Sequence, residues 1–484
     1  MKKYRGFCIL LTLLLLLSVA ICPIWADPDT TESTEPSETA ADQTPEETRP
    51  LAGPTYPDYT ALLSQGSYTA HCKAALLIER RTNTVIYALN SEEIVYPASL
   101  TKIMTCLIAL EKCAEQGKSL DSYVTVSATA FDDLDAAGST AGIQPGDRLT
   151  VRDLLYCMML ESANESCNIV AEYLAGSIDG YVEWMNARAR ELGCTNTHYV
   201  NTHGLHDPNH YTTAYDLAII TEAALANEEF TEIVRHEIHE VKSEEYSGSR
   251  MLASTNYLIR QAYPEYYYSK AMGVKTGYTS AAGRCLISTA SNGNLELMAI
   301  ILGAEDDDYA ADGLRYRSFV EAKELFEFGF QNFAYVQVLS TLDMTAEVVV
   351  TEARDKNTVI LYPTRDMTCL LPKNYDAAKI TTHWSLYGGG TTLAAPVAKD
   401  EPVGQVTVRY DGVEIGTTEL AALWAVEQQP KLIPNVDPTN YWWIIAGLLG
   451  LIALLLLVLM IRNAILRRRY REARRKRQQQ RDEQ

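Results

Sequence analysis

The sequence has far less positive charge than negative charge. Among its 484 residues, 42 are Lys or Arg and 62 are Asp or Glu, which gives a formal net charge of −20. Because binding to nucleic acid needs clustered Lys and Arg against the phosphates, this balance argues against a nucleic-acid partner. Hydrophobic residues make up 47% and charged residues 21% of the chain, so a wholly disordered or collagen-like protein is excluded.

The sequence also lacks a CxxC pair, because no two of its 10 cysteines have this spacing, which is typical of zinc and redox sites. Cys8 and Cys22 fall within the first 26 residues. The other cysteines would permit disulfides in an exported protein, but their spacing fixes no pair, and buried free thiols are an equal alternative.

Metal-ligand spacing is missing as well. His236 and His239 are three residues apart rather than the four of HExxH, so we expect a solvent-facing segment there. The acidic run 305–308 lacks the pattern of a calcium-binding loop and predicts an exposed loop. The sequence therefore predicts no metal and no cofactor.

The N-terminus has the composition of a targeting segment. Residues 1–26 combine Lys2, Lys3 and Arg5 with a following apolar run and a small residue before an acidic stretch, the pattern of a secretory signal peptide. A retained N-terminal anchor is the alternative, although the run is short for a span. Residues 27–57 are rich in Thr, Ser, Glu and Pro, and they predict a disordered acidic linker.

A second apolar run, near the C-terminus, predicts a transmembrane helix over 441–461. Residues 444–461 carry no charge, and aromatic residues precede them where an interfacial belt is expected. Residues 462–484 contain ten Lys or Arg against three Asp or Glu, a flank that holds its end of a span on the cytoplasmic side. A buried core helix is the alternative, and the flank argues against it. The positive charge of residues 462–484 would also attract anionic lipid head groups.

Between these ends the sequence predicts two domains. Residues 58–335 begin and end with strand patterns and carry a long helical pattern between them, which predicts one α+β domain whose sheet joins distant parts of the chain. Residues 336–425 consist of short β-rich runs with a hairpin signal at Asp411-Gly412, and they predict a small all-β domain. Residues 426–440 predict a linker that holds the first domain away from the membrane.

Three short motifs contain residues suited to nucleophilic catalysis. In Ser99-Leu-Thr-Lys102, the i and i+3 spacing on a helix brings an amine within reach of a hydroxyl. A serine near a helix N-terminus also has backbone N–H groups close by for a developing oxyanion. A serine needs a base, and a lysine is one only where burial or a second cation makes it neutral. Taken alone, this motif also fits an ordinary surface helix.

The other two motifs are equally weak when each stands alone. In Ser162-Ala-Asn164, a hydroxyl can relay a proton and an amide can bond a peptide group, yet both residues also serve as helix caps. Lys275-Thr276-Gly277 precedes a predicted strand. An amine and a hydroxyl at a strand edge can bind a carboxylate, and glycine lets a backbone approach closely, whereas the plain alternative is a lysine in a turn.

The order of the motifs, SxxK, SxN and then KTG, resembles that of the D-alanyl-D-alanine carboxypeptidases, which are low-molecular-mass penicillin-binding serine peptidases. The similarity extends to residues 201–205, 207–217 and 336–424, and covers about residues 60–425. It implies a β-lactamase/transpeptidase-like domain, in which an antiparallel sheet carries a helical subdomain, followed by the all-β domain. Ala163 is a small departure from the SGN form of many relatives.

The resemblance also implies a role for each motif residue. Ser99 would attack the penultimate D-Ala carbonyl, Lys102 would be the general base, and Ser162 would pass a proton to the leaving D-alanine. Backbone N–H groups of Ser99 and Tyr278 would form the oxyanion hole, and Lys275 with Thr276 would hold the terminal carboxylate. The implied substrate-binding residues are Asn164, Lys275, Thr276, Gly277 and Tyr278.

These roles predict a serine D,D-carboxypeptidase of the bacterial cell membrane, with an extracytoplasmic body and a cytoplasmic tail. Its substrate would be the peptidoglycan stem peptide, and β-lactams would be covalent inhibitors. A D,D-endopeptidase acting on cross-links is an open alternative. A β-lactamase would need a deacylating Glu that the sequence does not reveal, and a non-catalytic β-lactam sensor would not need the intact set of Ser99, Lys102 and Lys275.

Overall fold

A computed structural model of the chain describes residues 70–135, 138–243, 245–305, 316–430 and 441–482. The predicted signal peptide at 1–26, the predicted acidic linker at 27–57 and most of the acidic run 305–308 lie outside the described residues, as do Cys8 and Cys22.

The secondary structure alternates short strands and helices in the first part of the chain and is almost entirely β in the second part. In chain order, the strands are β1 (Ala74–Glu79), β2 (Thr84–Leu89), β3 (Tyr123–Thr125), β4 (Arg148–Thr150), β5 (Ile238–Glu240), β6 (Met251–Ala253), β7 (Ala271–Thr279), β8 (Gly283–Ser291), β9 (Glu296–Ala304), β10 (Phe333–Leu339), β11 (Ala346–Thr351), β12 (Thr358–Pro363), β13 (Met367–Pro372), β14 (Ile380–Leu386), β15 (Thr392–Ala394), β16 (Pro402–Tyr410) and β17 (Val413–Ala422). The α-helices are α1 (Thr101–Glu115), α2 (Val151–Met159), α3 (Asn164–Ala175), α4 (Ile178–Glu191), α5 (Ala214–Leu225), α6 (Glu228–Arg235), α7 (Arg317–Asn332) and α8 (Tyr441–Asp482).

A five-stranded antiparallel sheet, in the order β2-β1-β9-β8-β7, is the frame of the first domain. β1 pairs with β9 from Ala74↔Leu302 to Glu79↔Leu297, so the sheet joins parts of the chain more than 200 residues apart. This pairing confirms the predicted α+β class. It also places β7, which carries the KTG motif, at one edge of the sheet.

Alternate residues of β1 face two different cores. Leu76 and Ile78 belong to a core shared with the helical subdomain, whereas Ala75 and Leu77 belong to a second core shared with α7. Because successive side chains of a strand point to opposite faces, the central sheet is covered on both sides, and β1 is buried along its whole length. The sheet to which β7 belongs is therefore packed between two cores.

α1 is buried on nearly all sides within the helical subdomain. Every residue from Thr101 to Leu110 is buried, which is the pattern of a central core helix rather than an amphipathic surface helix. Each fully buried Leu or Ile side chain contributes about 2 kcal/mol of transfer free energy.

At the start of α2, the Thr150 hydroxyl accepts a hydrogen bond from the Asp153 backbone N–H, which fixes the entry into that helix.

The second domain is a six-stranded sheet in the order β14-β16-β17-β12-β11-β15, together with a two-stranded pair of β10 and β13. This confirms the predicted all-β character. β10 follows α7 directly, so the predicted boundary at 335 falls inside that strand. At the other end, Val426 pairs with Val397 and Gln428 pairs with Ala353, so the chain stays attached to this domain beyond residue 425.

α8 runs without interruption from Tyr441 to Asp482, so the predicted span at 441–461 and most of the basic tail form one helix. By length and composition it is able to cross a membrane.

The histidines at 236 and 239 were expected to face solvent, and this prediction is wrong for His239. Its ring stacks on that of Tyr156 with centroids 3.6 Å apart, and its Nε2 lies 3.1 Å from Asp153 Oδ1. The cause is the pairing of β5 with β6, a short hairpin that brings His239 against α2.

The cysteines follow the free-thiol alternative. Those described, all free, are Cys72, Cys106, Cys113, Cys157, Cys167, Cys194, Cys285 and Cys369.

One glycine lets the segment 201–205 pack directly against the turn before α1. Gly204 has φ +89°, and a Cβ there would lie 1.9 Å from the Ala98 carbonyl oxygen. Gly176, which ends α3 with φ +79°, has open space around the same position. Replacing Gly176 by alanine would therefore cost only the strain of a left-handed backbone, whereas replacing Gly204 would add a steric clash to that strain.

We predict that Gly204→Ala lowers the free energy of unfolding by about 3 kcal/mol or more, because strain and overpacking add. Gly176→Ala, the matched control, should cost only about 1 kcal/mol, the penalty of a left-handed backbone for an L-residue. Urea unfolding of the two variants measures both values. Equal losses would contradict the close contact between residue 204 and the turn.

Candidate active site

The Ser99 hydroxyl lies at the start of α1, on a 3₁₀ turn that spans Ala98–Leu100. The helix proper begins at Thr101, so Ser99 lies just before the helix rather than inside it. The Thr101 hydroxyl donates to the Ala98 carbonyl at 2.8 Å and contacts His210 Nε2 at 2.8 Å. These bonds fix the turn, and the i and i+3 relation between Ser99 and Lys102 is preserved across it.

Lys102 is fully buried, and its amine contacts three oxygen atoms from three different parts of the chain. Its Nζ lies 2.9 Å from Ser99 Oγ, 2.8 Å from Asn164 Oδ1 and 2.7 Å from the backbone carbonyl of His203. An ammonium group has three N–H bonds to donate, so all of them are used here. The amine is held in one position by partners on the 3₁₀ turn before α1, on α3 and on the segment 201–205.

Burial lowers the pKa of Lys102 from 10.5 to about 8, since a charge is costly away from water. In the neutral amine two N–H bonds and one lone pair remain. The amide oxygen of Asn164 and the carbonyl of His203 can only accept, so they take the two N–H bonds. The lone pair is then left facing the Ser99 hydroxyl, which is the arrangement that a general base requires.

The second motif lies in the connection between α2 and α3. Ser162 is buried with φ +59°, and Asn164 is the first residue of α3. The residue at the N-cap of α3 is Ala163, and no side chain caps this end of the helix. Ser162 and Asn164 are therefore not acting as caps here. The Asn164 backbone N–H donates to the Ser139 carbonyl at 2.9 Å, which ties the motif to a neighbouring loop that also lines the groove.

The third motif lies on β7, at the edge of the sheet and beside the Ser99 turn. Lys275 is buried, and its Nζ donates to the Thr276 carbonyl at 3.0 Å. Burial, and then the nearby positive charge of Lys102, hold the pKa of Lys275 well below its usual value. A Cβ on Gly277 would lie 3.1 Å from the Ser99 backbone nitrogen. Glycine at this position therefore lets β7 approach the turn.

An open groove of about 1260 Å³ runs between the helical subdomain and β7. Ser99, Ser162 and Asn164 line it together with the KTG strand, whereas Lys102 and Lys275 lie behind its lining. Of the predicted site residues, those that line the groove are Ser99, Ser162, Asn164, Thr276, Gly277 and Tyr278. In the described part of the chain, no group of three or more His, Cys, Asp or Glu side chains is placed to hold a metal ion.

The two walls of the groove have different chemistry. Asp132, Asp133 and Asp135 line the wall that belongs to the helical subdomain. Tyr278, which is 52% exposed, lines the opposite side, and the Arg284 guanidinium lies 4.3 Å from the centre of its ring. An elongated ligand in this groove would therefore meet carboxylates along one wall and a cation with aromatic rings along the other.

The sequence motifs did not reveal two of the groups that complete the site. The His203 carbonyl, which accepts from Lys102, belongs to the segment 201–205, and that segment was noted only as part of the family resemblance. The Thr255 hydroxyl lies 2.6 Å from the Thr276 hydroxyl, and Thr255 also lines the groove. No local pattern marks Thr255, because its importance arises only when its segment packs beside β7.

Comparison with known proteins agrees with this architecture. Residues 62–306 match the family model of D-alanyl-D-alanine carboxypeptidase, and residues 343–428 match that of the penicillin-binding protein 5 C-terminal domain. The D-alanyl-D-alanine carboxypeptidase DacD of Escherichia coli K12 is 30% identical over 351 residues, which cover 70% of this chain and 83% of that protein. DacF of Bacillus subtilis 168 is 29% identical over 357 residues, 74% of this chain and 86% of the relative.

A solved structure shares both domains. Penicillin-binding protein 5 from Haemophilus influenzae superposes with a TM-score of 0.57 at 27% identity, covering 75% of this chain and 99% of that one. The family models match along both domains, in agreement with the fold and with the buried lysine beside a serine. The chain belongs to the family of serine-type D-alanyl-D-alanine carboxypeptidases.

Proposed function

We propose that the protein removes the terminal D-alanine from peptidoglycan stem peptides, with Ser99 as nucleophile and Lys102 as its base. The observation that carries this proposal is the 2.9 Å contact between Ser99 Oγ and the fully buried amine of Lys102. At a pKa of about 8, about a tenth of this amine is neutral at pH 7. A serine without such a base is a poor nucleophile.

In the acylation step, Ser99 Oγ attacks the carbonyl carbon of the penultimate D-Ala while its proton passes to the Lys102 nitrogen. The developing oxyanion is stabilised by backbone N–H groups of Ser99 and Tyr278. Close packing of Gly277 against the Ser99 turn supports this pairing. The C–N bond then breaks, the departing nitrogen takes the proton held on Lys102 by way of Ser162, Lys102 becomes neutral again, and D-alanine leaves. Water hydrolyses the Ser99 ester and restores the hydroxyl.

The terminal carboxylate of the substrate is held by Thr276 and Lys275, and Asn164 orients the peptide. Lys275 lies behind the groove lining with its pKa lowered. An arriving carboxylate favours the charged form of such an amine, so binding and protonation of Lys275 are coupled. The Thr255 hydroxyl beside Thr276 supports a polar subsite at this place.

A β-lactam would acylate Ser99 in the same way and remain as a slowly hydrolysed ester. Glu165 is the buried carboxylate next to the second motif, and its surroundings do not favour a role in rapid hydrolysis of the Ser99 ester. Its Oε1 accepts from the Thr140 hydroxyl at 2.7 Å and the Ala141 backbone N–H at 2.8 Å, and Glu165 does not line the groove. This arrangement supports a penicillin-binding carboxypeptidase over a β-lactamase.

The protein would act at the outer face of the bacterial cell membrane. α8 supplies a single span, and its basic C-terminal part would stay on the cytoplasmic side. The catalytic domain would then face the cell wall, where stem peptides are found. This topology also explains why an acidic body is joined to a basic tail.

The activity test uses the detergent-solubilised full chain and a diacyl-Lys-D-Ala-D-Ala peptide. We predict release of free D-alanine by the wild type and a loss of about 10³-fold or more in Ser99→Ala, because the nucleophile is removed. Released D-alanine is measured by a coupled D-amino-acid oxidase assay. Ser119→Ala, an exposed serine outside the groove lining, is the matched control and should keep full activity.

The same preparation separates the alternatives. A wild type that forms a stable penicillin adduct on Ser99 but releases no D-alanine would contradict the carboxypeptidase proposal. Cleavage of a cross-linked muropeptide dimer by that protein would then indicate an endopeptidase. No cleavage of either substrate would indicate a β-lactam sensor.

The lowered pKa of Lys102 predicts a characteristic pH dependence of acylation. Only the neutral amine accepts the Ser99 proton, so the second-order rate constant for penicillin labelling should rise with pH and reach half its plateau near pH 8. Below that point the rate should fall about tenfold for each pH unit. Stopped-flow labelling with a fluorescent penicillin measures the profile.

Lys102→Arg provides the control for this profile, because a guanidinium stays charged at every pH used. The variant should label far more slowly, and its rise around pH 8 should be absent. A wild-type profile that is flat between about pH 6 and pH 9 would contradict a role for a neutral Lys102.

A further inference from the structure

The segment 201–205, which brings its carbonyl to Lys102, is held in place by a carboxylate on the groove wall. Asp133 Oδ2 lies 3.2 Å from His203 Nε2, and Asp133 Oδ1 accepts from Asn168 Nδ2 at 2.7 Å. The Asn168 amide oxygen in turn accepts from the Thr202 hydroxyl at 2.6 Å. The carboxylate of Asp133 therefore connects to two consecutive residues of the segment by separate routes.

The bonds of the His203 ring determine where its proton lies. Nδ1 faces the backbone N–H of Leu205 at 3.2 Å, so this nitrogen must accept. The other nitrogen, Nε2, then carries the proton and donates it to Asp133. Burial lowers the pKa of His203, which keeps the ring neutral and this pattern intact. The ring is fixed at both nitrogens, and so is the backbone that carries it.

That backbone is the part of the segment that reaches the active site. The His203 carbonyl oxygen lies 2.7 Å from Lys102 Nζ, and the Thr202 carbonyl accepts from the Thr105 hydroxyl at 2.6 Å. Both contacts are made to α1. A shift of the segment by a few tenths of an ångström would change the direction in which the Lys102 amine points. It would therefore change the alignment of that amine with Ser99.

We propose that Asp133 is a positioning residue for catalysis, whose carboxylate holds His203 and Asn168 so that the His203 carbonyl aims the Lys102 amine at Ser99. The inference rests on the proposed role of Lys102 as base. Asp133 does not touch the reacting atoms and acts through two intervening bonds. Its side chain is 43% exposed and lines the groove, so it can be replaced without opening the core.

The carboxylate is needed because both of its partners donate. His203 Nε2–H and the Asn168 amide N–H each need an acceptor, and the two oxygens of Asp133 supply one apiece. In Asp133→Asn one of those oxygens becomes an NH₂ group, so one bond must be lost. In Asp133→Ala both bonds are lost. The two variants therefore form a graded series at one exposed position.

The experiment measures the rate constant for fluorescent-penicillin labelling of the full chain from about pH 6 to pH 10, a range that brackets the pKa of Lys102. We expect the plateau rate to fall about threefold in Asp133→Asn and about tenfold or more in Asp133→Ala, as small displacements of a catalytic group cost at least this much. The midpoint of the profile should also move to lower pH, because a displaced carbonyl stabilises the Lys102 ammonium less.

Asp132→Asn controls for the loss of charge in the groove. Because Asp132 lines the groove, the labelling rate of this variant is compared directly with those of the Asp133 variants and is not assumed to equal that of the wild type. Asp132 is the adjacent carboxylate on the same wall of the groove, and in the part of the chain that the structure describes it makes no hydrogen bond to the segment 201–205. The substitution Asp132→Asn removes one negative charge from the groove, as Asp133→Asn does, but leaves the hydrogen bonds among Asp133, His203 and Asn168 in place. The titratable groups near Lys102, which include Cys167, Glu165, Lys275 and His203, are themselves unchanged in all three variants.

The outcomes separate this inference from the proposed function. A wild type that labels, with Asp133 variants that keep both its plateau and its midpoint, would overturn the positioning role and leave the proposed function intact. Equal effects in Asp132→Asn would also overturn it, since groove charge alone would then explain the loss. A fall in rate with no shift of the midpoint would point to general loosening and contradict the inference. A wild type that does not label at all would overturn the proposed function and this inference together.

Discussion

The site depends on one buried amine. Lys102 lies in the core of the helical subdomain, where a charge is costly, and its neighbours offset that cost by surrounding it with oxygen atoms. Because those oxygens come from the 3₁₀ turn before α1, from α3 and from the segment 201–205, the amine can be satisfied only when the whole subdomain is assembled. The low pKa of Lys102 and the orientation of its lone pair are two results of the same burial.

The rest of the fold provides this environment and an edge for the substrate. The central sheet is covered on both faces, β7 lies beside the Ser99 turn, and Gly277 permits their close approach. Lys275 brings a second amine into the same low-dielectric region. The positive charge of Lys102 adds to burial in lowering the pKa of Lys275, and under the proposed function an arriving carboxylate would favour the charged form of Lys275 again. An edge strand also offers its unpaired backbone to an extended peptide.

Much of the fold and most of the site could be predicted from the sequence, and the reasons differ from one element to the next. The i and i+3 spacing of Ser99 and Lys102 is local, so their contact follows once a helical turn is assumed. The hairpin of β8 and β9 follows from its turn residues and apolar flanks. The predicted domain boundary at 335 missed the strand that continues directly from α7, because strand pairing depends on partners far along the chain.

The groups that were missed act through tertiary contact or through the backbone. A carbonyl such as that of His203 is present at every residue, so no side-chain pattern distinguishes the one that meets Lys102. Thr255 becomes part of the groove only after its segment packs against β7. His239 was expected in solvent because its pairing with Tyr156 depends on the register of β5 and β6, which the sequence alone does not fix.

Replacing the buried amine of Lys102 tests most directly whether that amine activates Ser99. Lys102→Met keeps the length and packing of the side chain and removes the base, while Lys112→Met makes the same change at a partly exposed position of the same helix. Intact-protein mass spectrometry, with peptide mapping, follows the penicillin adduct over time. We predict an adduct on Ser99 that forms at the wild-type rate in Lys112→Met and at least about 10²-fold more slowly in Lys102→Met. Acylation of a folded Lys102→Met protein at the wild-type rate, or an adduct on another residue, would contradict the account.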